Sequence, residues 1–486
     1  MNALTPQTGR LAASALAAAA VAWLAGCHAG PNYRMPPPPV GAEAPLVSLD
    51  PALETSSAPP AAWWQLYKEP RLDALIVEAL AANRDLAAAE ANLEAARGAL
   101  DAVHAERYPS TDVFLGATRG RDPTTEEILE IGGHRPKTLW LFEDVFHVAY
   151  EIDLFGRIHR AIEQASANAE AVAAARDSVR VLVVAETTRA YAQICALGEE
   201  LTVARHSLAV VTRESEITEQ RYRAGGNSQF DVHRSQALVS QVSAAIPQLE
   251  GSRRAALFEV AALLGRTPVN APTDLLECVT PPRLESLIPV GDGRVLISRR
   301  PDVRQAERKL AAATAAIGVA TADLYPTVRL VGFVGGASSE ASNLTTDAGL
   351  IWGVGPSISW SFPNQLGARA HVRQAQAAQR AALASFDSSV LVALKETEQA
   401  LSTYRAALDN RQALVDAQSS IHRAFEIAKN ELAAGSISPL DLLTTEQSLV
   451  SLDAAVASSN STLVQDQIAV FKALGGGWER ESPPPR

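Results

Sequence analysis

Three cysteines and nine histidines are the residues of this 486-residue chain best suited to covalent or acid–base chemistry. Cys27 closes the stretch Leu24-Ala25-Gly26-Cys27, behind Arg10 and an apolar run from Leu11 to Ala25. That run is too short for a comfortable spanning helix, which needs ~20 residues, and reads as the core of a secretory signal. Small residues immediately before a cysteine resemble the bacterial lipobox, in which cleavage leaves the cysteine as a lipid-bearing N-terminus. Acylation of Cys27 is therefore the expected chemistry, and His28, where lipoproteins kept in the inner membrane commonly carry Asp, favours outer-membrane sorting. No cofactor or metal is expected beyond this covalent lipid. Cys195 in a helical stretch and Cys278 in a Pro-flanked linker could pair in an oxidising compartment, but they are read as free thiols. The histidines are dispersed: His159 and His206 fall on one long helical run, His371 and His422 on another. The chain has no Gly-rich phosphate loop, no H-E-x-x-H and no G-x-S-x-G, so no catalytic residue is assigned and no enzyme is expected. A net charge of −11 argues against nucleic-acid binding, which would need a basic patch.

The elements around these residues form a duplicated chain. Asn83-Arg84-Asp85-Leu86 through Tyr108-Pro109 matches Arg300-Pro301-Asp302-Val303 through Tyr325-Pro326 at a constant offset of 217. Gly225 and Asp231 meet Gly435 and Asp441 at an offset of 210. Periods this long mark a repeated domain rather than a solenoid. The expected divisions are 1–26 (signal peptide), 27–62 (lipidated N-terminus and Pro-rich arm), 63–265 (first repeat), 266–285 (linker), 286–474 (second repeat) and 475–486 (tail). Each repeat carries one very long helical run: Ala368 to Ala434 has neither Gly nor Pro, and Arg157 to Ala224 has only Gly198. At 1.5 Å per residue such helices would extend ~100 Å, which no compact globule holds. Leu394, Leu401, Leu408 and Val415 recur at coiled-coil spacing. Both runs end at a Gly suited to a C-cap, followed by Ser228-x-x-Asp231 or Ser438-Pro439-x-Asp441, a capping pattern for a second helix. Two tight helical hairpins are expected.

Each repeat also carries strand-like segments. Phe142, Phe146, Val148, Tyr150 and Ile152 alternate with Glu143, His147 and Glu151, and Leu350, Trp352, Val354 and Ile358 alternate with Gly353, Gly355 and Ser357. This is period two, apolar on one face and small or polar on the other, as in a lipid-facing barrel strand. Their partners are expected at Thr111 to Arg119 and Thr327 to Val334, with Gly120 to Thr138 and Gly335 to Gly349 as loops. Four strands cannot close a membrane barrel, and unpaired edge groups in lipid cost several kcal/mol each, so copies must complete one another's sheet. Three copies give twelve strands and four give sixteen.

These residues carry a family resemblance. Trp63-Trp64 with Leu66, Tyr67, Pro70, Leu72 and Leu75, then Asn83-Arg84-Asp85-Leu86, resemble the opening of the TolC-like outer-membrane efflux factors. Arg299-Arg300-Pro301-Asp302-Val303 with Ala306-Glu307, and Ala473-Leu474-Gly475-Gly476-Gly477-Trp478, are similar as well. Gly30-Pro31-Asn32-Tyr33 resembles the lipoprotein branch of nodulation- and multidrug-type factors. The resemblance implies a mostly α fold: a homotrimer with a twelve-stranded outer-membrane β-barrel continued by a long α-helical barrel. It implies a passive exit duct in the outer membrane of a Gram-negative bacterium, partnered by a periplasmic adaptor and an inner-membrane pump of the resistance-nodulation-division type. The adaptor is then expected at the hairpin tips, at Gly225, Gly226, Ser228 and Asp231 and at Gly435, Ser436, Ser438, Pro439 and Asp441. The stretch from Phe425 to Leu432 lies where relatives narrow the tunnel, but no gate residue is assigned. The acidic balance suggests a mildly cation-preferring lumen. The competing reading is a lipid-anchored coiled-coil scaffold or adaptor of the cell envelope, which would leave the amphipathic strands without a role.

Overall fold

The computed structural model describes residues 29–49, 54–55, 57, 59–121, 138–284 and 287–477. The signal peptide, Cys27, His28, most of the first inter-strand connection, Trp478 and the terminal prolines lie outside the described residues. The element order is α1 (Pro70–Ala82), α2 (Arg84–Ala105), β1 (Ser110–Gly120), β2 (Leu139–Ile152), α3 (Arg157–Arg223) and α4 (Gln229–Leu263). The same order then repeats as α5 (Gly293–Arg299), α6 (Pro301–Ala322), β3 (Thr327–Ser338), β4 (Leu350–Ser359), α7 (Leu366–Ala434) and α8 (Pro439–Ala473). The long helices α3 and α7 run unbroken for 67 and 69 residues. Among the described residues no helix is long and apolar enough to cross a membrane.

The chain forms two compact units. One comprises Glu94–Val172 and Ala306–Ser385 with the arm as far as Pro36, and the other Pro37–Leu93, Ala173–Gln305 and the chain from Phe386. In the first unit the strands make one antiparallel sheet in the order β1-β2-β3-β4. Strand β3 continues through Gly335 and Gly336 to Ser338, residues expected in a loop. The correction has a steric reason. A Cβ built on Gly335 would lie 1.9 Å from the Asp144 carbonyl oxygen, so these glycines permit a close strand approach rather than a turn.

The Pro-rich arm is docked. Ala29 N–H donates to Phe155 O at 3.0 Å, and the buried Arg160 guanidinium donates to Ala29 O at 3.1 Å and Asn32 Oδ1 at 2.6 Å. The Tyr33 hydroxyl donates to Glu307, and a Cβ on Gly30 would lie 2.5 Å from Gly318 Cα. Gly30 thus meets backbone, and a Cβ on Gly318 would lie 2.6 Å from the Arg160 side chain and 2.9 Å from Ala29 O, so neither position has room for a side chain.

The second unit holds the main apolar core. Trp63 is fully buried and stacks on Phe471 at 4.7 Å, surrounded by Leu72, Leu75, Ile76, Ile194, Val260, Leu401 and Ile468. The heptad leucines are accounted for here: Leu401 lies in the core, and Leu394 and Leu408 pack against it. The motif residues of the two repeats make matching contacts. Asn83 Nδ2 donates to Leu263 O at 3.0 Å, and Arg300 Nη1 donates to Ala473 O at 2.9 Å, so each ties the start of a repeat to the end of its second hairpin helix. Asn83 Oδ1 also accepts from Leu86 N–H and caps α2.

One cysteine expectation is corrected. Cys195 and Cys278, read as free thiols, form a disulfide with Cα atoms 4.8 Å apart. The fold brings them together by laying the inter-repeat linker on α3. Arg253, reaching from α4, donates to Ile194 O at 3.1 Å and to Cys278 O, and Gly198 leaves the linker carbonyl room to approach.

Candidate functional site

Two features can serve transport: the two-faced sheet and the pair of hairpin tips. On one face of the sheet, Val113, Leu115, Phe146, Leu330, Val334, Trp352, Val354 and Ile358 are exposed and apolar. Trp140 stacks on Phe142 near one end, and Tyr150, with Trp360 stacked on Phe362, marks the other. Water would penalise this much contiguous apolar surface, and aromatic bands flanking an apolar belt are what two membrane interfaces select. The opposite face carries Asp112, Phe114, Glu143, His147, Glu151, Arg329, Phe333 and several glycines and serines. Arg329 pairs with Glu151 at 3.2 Å, and Glu151 also accepts from Arg157 Nε at 2.8 Å. Strands β1 and β4 have no partner on their outer edges among the described residues. At half the backbone groups per strand, each edge leaves about ten N–H and C=O groups to satisfy in lipid.

The tips are built by cooperating caps. At the end of α3, Gly225 has φ +81°, its N–H donates to Tyr222 O at 2.9 Å, and Gly226 N–H donates to Arg221 O at 2.8 Å. At the end of α7, Gly435 has φ +76°, its N–H donates to Leu432 O at 3.2 Å, and Ser436 N–H donates to Glu431 O at 2.9 Å. Both are Schellman closures, which need a left-handed residue that only glycine adopts cheaply. The following helices start with reciprocal capping boxes: Ser228 Oγ accepts from Asp231 N–H at 3.2 Å while Asp231 accepts from Ser228 N–H at 3.0 Å. Ser438 and Asp441 repeat this at 3.3 and 3.0 Å, with Pro439 at the first helical position. The Ser438 hydroxyl and backbone N–H hold the Asp441 carboxyl below its usual range.

All nine tip residues named from the sequence thus fall in two short turns and the first turn of the helix that follows each. Sequence reasoning missed what stands beside them. Phe230 is 65% exposed and Leu440, its equivalent at the offset of 210, is 41% exposed. Ile437, by contrast, packs on the Phe425, Ala428, Leu442 and Leu449 cluster of its own hairpin, whereas Asn227 occupies the equivalent position in the first tip. Phe425 and Ala428 of the expected narrow stretch are therefore buried, while Ile427 and Lys429 are exposed. Also missed was Glu446, buried two turns from the second tip with Oε1 lacking a hydrogen-bond partner among the described residues. Burial, with the Glu214 carboxylate adding to it, pushes its pKa up to about 7.

Against known proteins, the family described as outer membrane efflux protein matches residues 75–266 and 294–476. The chain belongs to the outer membrane efflux protein family. As a member it is an outer-membrane efflux channel, and the long helices and two-faced sheet are the parts of that architecture contributed by one chain. Among relatives, this efflux protein is 30% identical over 455 residues to the pyoverdine export outer membrane protein OpmQ of Pseudomonas putida, covering 92% of this chain and 93% of that one. It is 27% identical over 473 residues to the probable outer membrane lipoprotein SilC of Salmonella typhimurium, covering 94% and 96%. Among solved structures, the outer-membrane channel OprN matches with a TM-score of 0.85 at 34% identity, over 93% of this efflux protein and all of OprN.

Proposed function

We propose that this channel works as a homotrimer in a tripartite efflux system, passing solutes passively from an inner-membrane pump of the resistance-nodulation-division type through the periplasm and outer membrane. The observation that supports this most is the sheet. It is apolar and aromatic-banded on one face, carries most of its charged and small residues on the other, and is open at both edges among the described residues. Three copies pairing β4 of one with β1 of the next give twelve strands, no free edge and a polar interior. The energy comes from the pump, and this chain supplies the path. Opening is a shift between two helix packings, biased only by the adaptor's preference for the open one.

The adaptor meets the tips at Gly225, Gly226, Ser228 and Asp231 and at Gly435, Ser436, Ser438, Pro439 and Asp441, with Phe230 and Leu440 as apolar anchors. Paired, exposed apolar side chains on rigidly capped turns favour docking there. The covalent lipid on Cys27 lies two residues before Ala29, which is tied to Phe155 just beyond the end of β2.

The test is reconstitution of the full lipidated protein. A detergent-extracted trimer that conducts ions across a planar bilayer is expected, and a deletion strain should become sensitive to exported compounds. A monodisperse monomer without conductance would overturn the proposal.

A further inference from the structure

The water-facing side of the sheet carries two phenyl rings that a plain aqueous path does not need. Phe114 is 49% exposed and Phe333 is 41% exposed, on the face that also carries acids, His147, Arg329, small residues and the aliphatic Leu141, Val145, Val331 and Ile351. Both rings lie over glycines. A Cβ on Gly116 would come within 2.8 Å of the Phe114 ring, and one on Gly353 within 2.7 Å of the Phe333 ring. The glycines thus leave room for one edge of each ring to lie against the wall, where any larger residue would push it away.

The register fixes what surrounds them. Asp112, His147, Phe333 and Gly353 form one row across the four strands, each directly opposite the next. Phe114 opens the next row on the same face, and Gly116, beneath its ring, faces Glu143 in the row beyond. At ~3.4 Å per residue, all of these lie within about 14 Å along the strands. The His147 and Phe333 rings are 6.3 Å apart. Arg329, the basic residue of this face in the described strands, is already paired with Glu151. Among the described residues neither Asp112 nor Glu143 enters an ion pair.

Resting on the reading of this sheet as one third of a barrel, we propose that Phe114 and Phe333 with Asp112 and Glu143 form a lumenal belt that transiently binds organic cations carrying an aromatic or quaternary ammonium group. Aromatic rings attract such cations, and the two carboxylates, without an ion pair among the described residues, select their charge. Each ring contact on an exposed surface contributes about two- to fivefold in affinity, so the belt is weak. That suits a duct, in which a site must be favourable enough to enter and weak enough to leave.

The test is block of potassium chloride current through the reconstituted full-length channel. Benzyltrimethylammonium is the probe, tetramethylammonium and benzenesulfonate its controls for ring and charge. Benzyltrimethylammonium should block at the lowest concentration, and benzenesulfonate should not block. The double variant Phe114→Leu, Phe333→Leu should weaken benzyltrimethylammonium block at least fourfold while retaining heat-stable trimers and full potassium chloride conductance. Asp112→Asn with Glu143→Gln should weaken block by both cations. Should the double leucine variant fail to assemble, Phe333→Tyr, which keeps the aromatic ring, must retain block while the single Phe333→Leu weakens it about twofold. Equal block by benzenesulfonate, or block unchanged in the leucine variants, would overturn the belt while leaving the duct intact. Absence of any potassium chloride conductance would defeat the duct reading, and the belt with it.

Discussion

The tip assignment can be tested by separating backbone strain from bulk. Gly225 and Gly435 both have φ near +80°, yet a Cβ at either would meet nothing within 4 Å. Any L-residue there costs about 1–2 kcal/mol for the left-handed conformation, so a double substitution costs ~2–4 kcal/mol per copy, whatever the side chain. The capping boxes at Ser228 and Ser438 remain, each contributing ~1 kcal/mol to the turn. Alanine therefore adds strain without occupying new space, whereas tryptophan adds comparable strain and a large ring in the space where the adaptor is proposed to dock. The variants Gly225→Ala, Gly435→Ala and Gly225→Trp, Gly435→Trp are compared in a deletion strain, using compounds to which the deletion confers sensitivity. Both should form heat-stable trimers with similar thermal midpoints. The alanine pair should restore export to near wild type, and the tryptophan pair should abolish it and lose cross-linking to the adaptor. Normal export by the tryptophan pair, or equal loss in both, would refute the reasoning.

Three further outcomes are expected. Cys195→Ser or Cys278→Ser opens a link across 83 residues, with a chain-entropy ceiling of roughly 4–5 kcal/mol, so each variant should melt with the reduced wild type and ignore added reductant. Trp63→Ala removes a fully buried ring stacked on Phe471 and should cost about 3–5 kcal/mol, read as faster proteolysis of the second unit than in Trp64→Ala. Glu446 has a folded-state pKa of about 7 against an ordinary 4.5, so the folded protein holds its proton through that window and loses stability as pH rises across it. Glu446→Gln should therefore melt with the wild type near pH 4.5 and above it at pH 8, and a constant difference at both would remove the assignment.

Legibility from sequence followed the range of the interactions. Strand faces and helix ends are set by neighbours within a few residues, so the alternation from Phe142 to Ile152 and the caps at Gly225 and Gly435 could be read directly. The Cys195–Cys278 bond could not, because it depends on Arg253 drawing the linker onto α3. Gly335 and Gly336 misled for a related reason: glycine serves both turns and close strand contact, and only Asp144 on the neighbouring strand distinguishes them. The arm's composition indicated an extended path, but its seat depends on Arg160, Glu307 and Gly318, at distances no local pattern encodes. The motif residues Asn83 and Arg300 were legible as repeats, while their task of closing each repeat on itself was not.

The anchoring of Ile437 in its own hairpin, where the first tip has Asn227, makes the two turns mechanically unequal. In the homotrimer proposed above, six tips of two kinds would alternate around the rim. A collar with true sixfold symmetry cannot seat identically on all of them. Its subunits would meet two different surfaces in alternation, one with Ile437 and one with Asn227 at the turn.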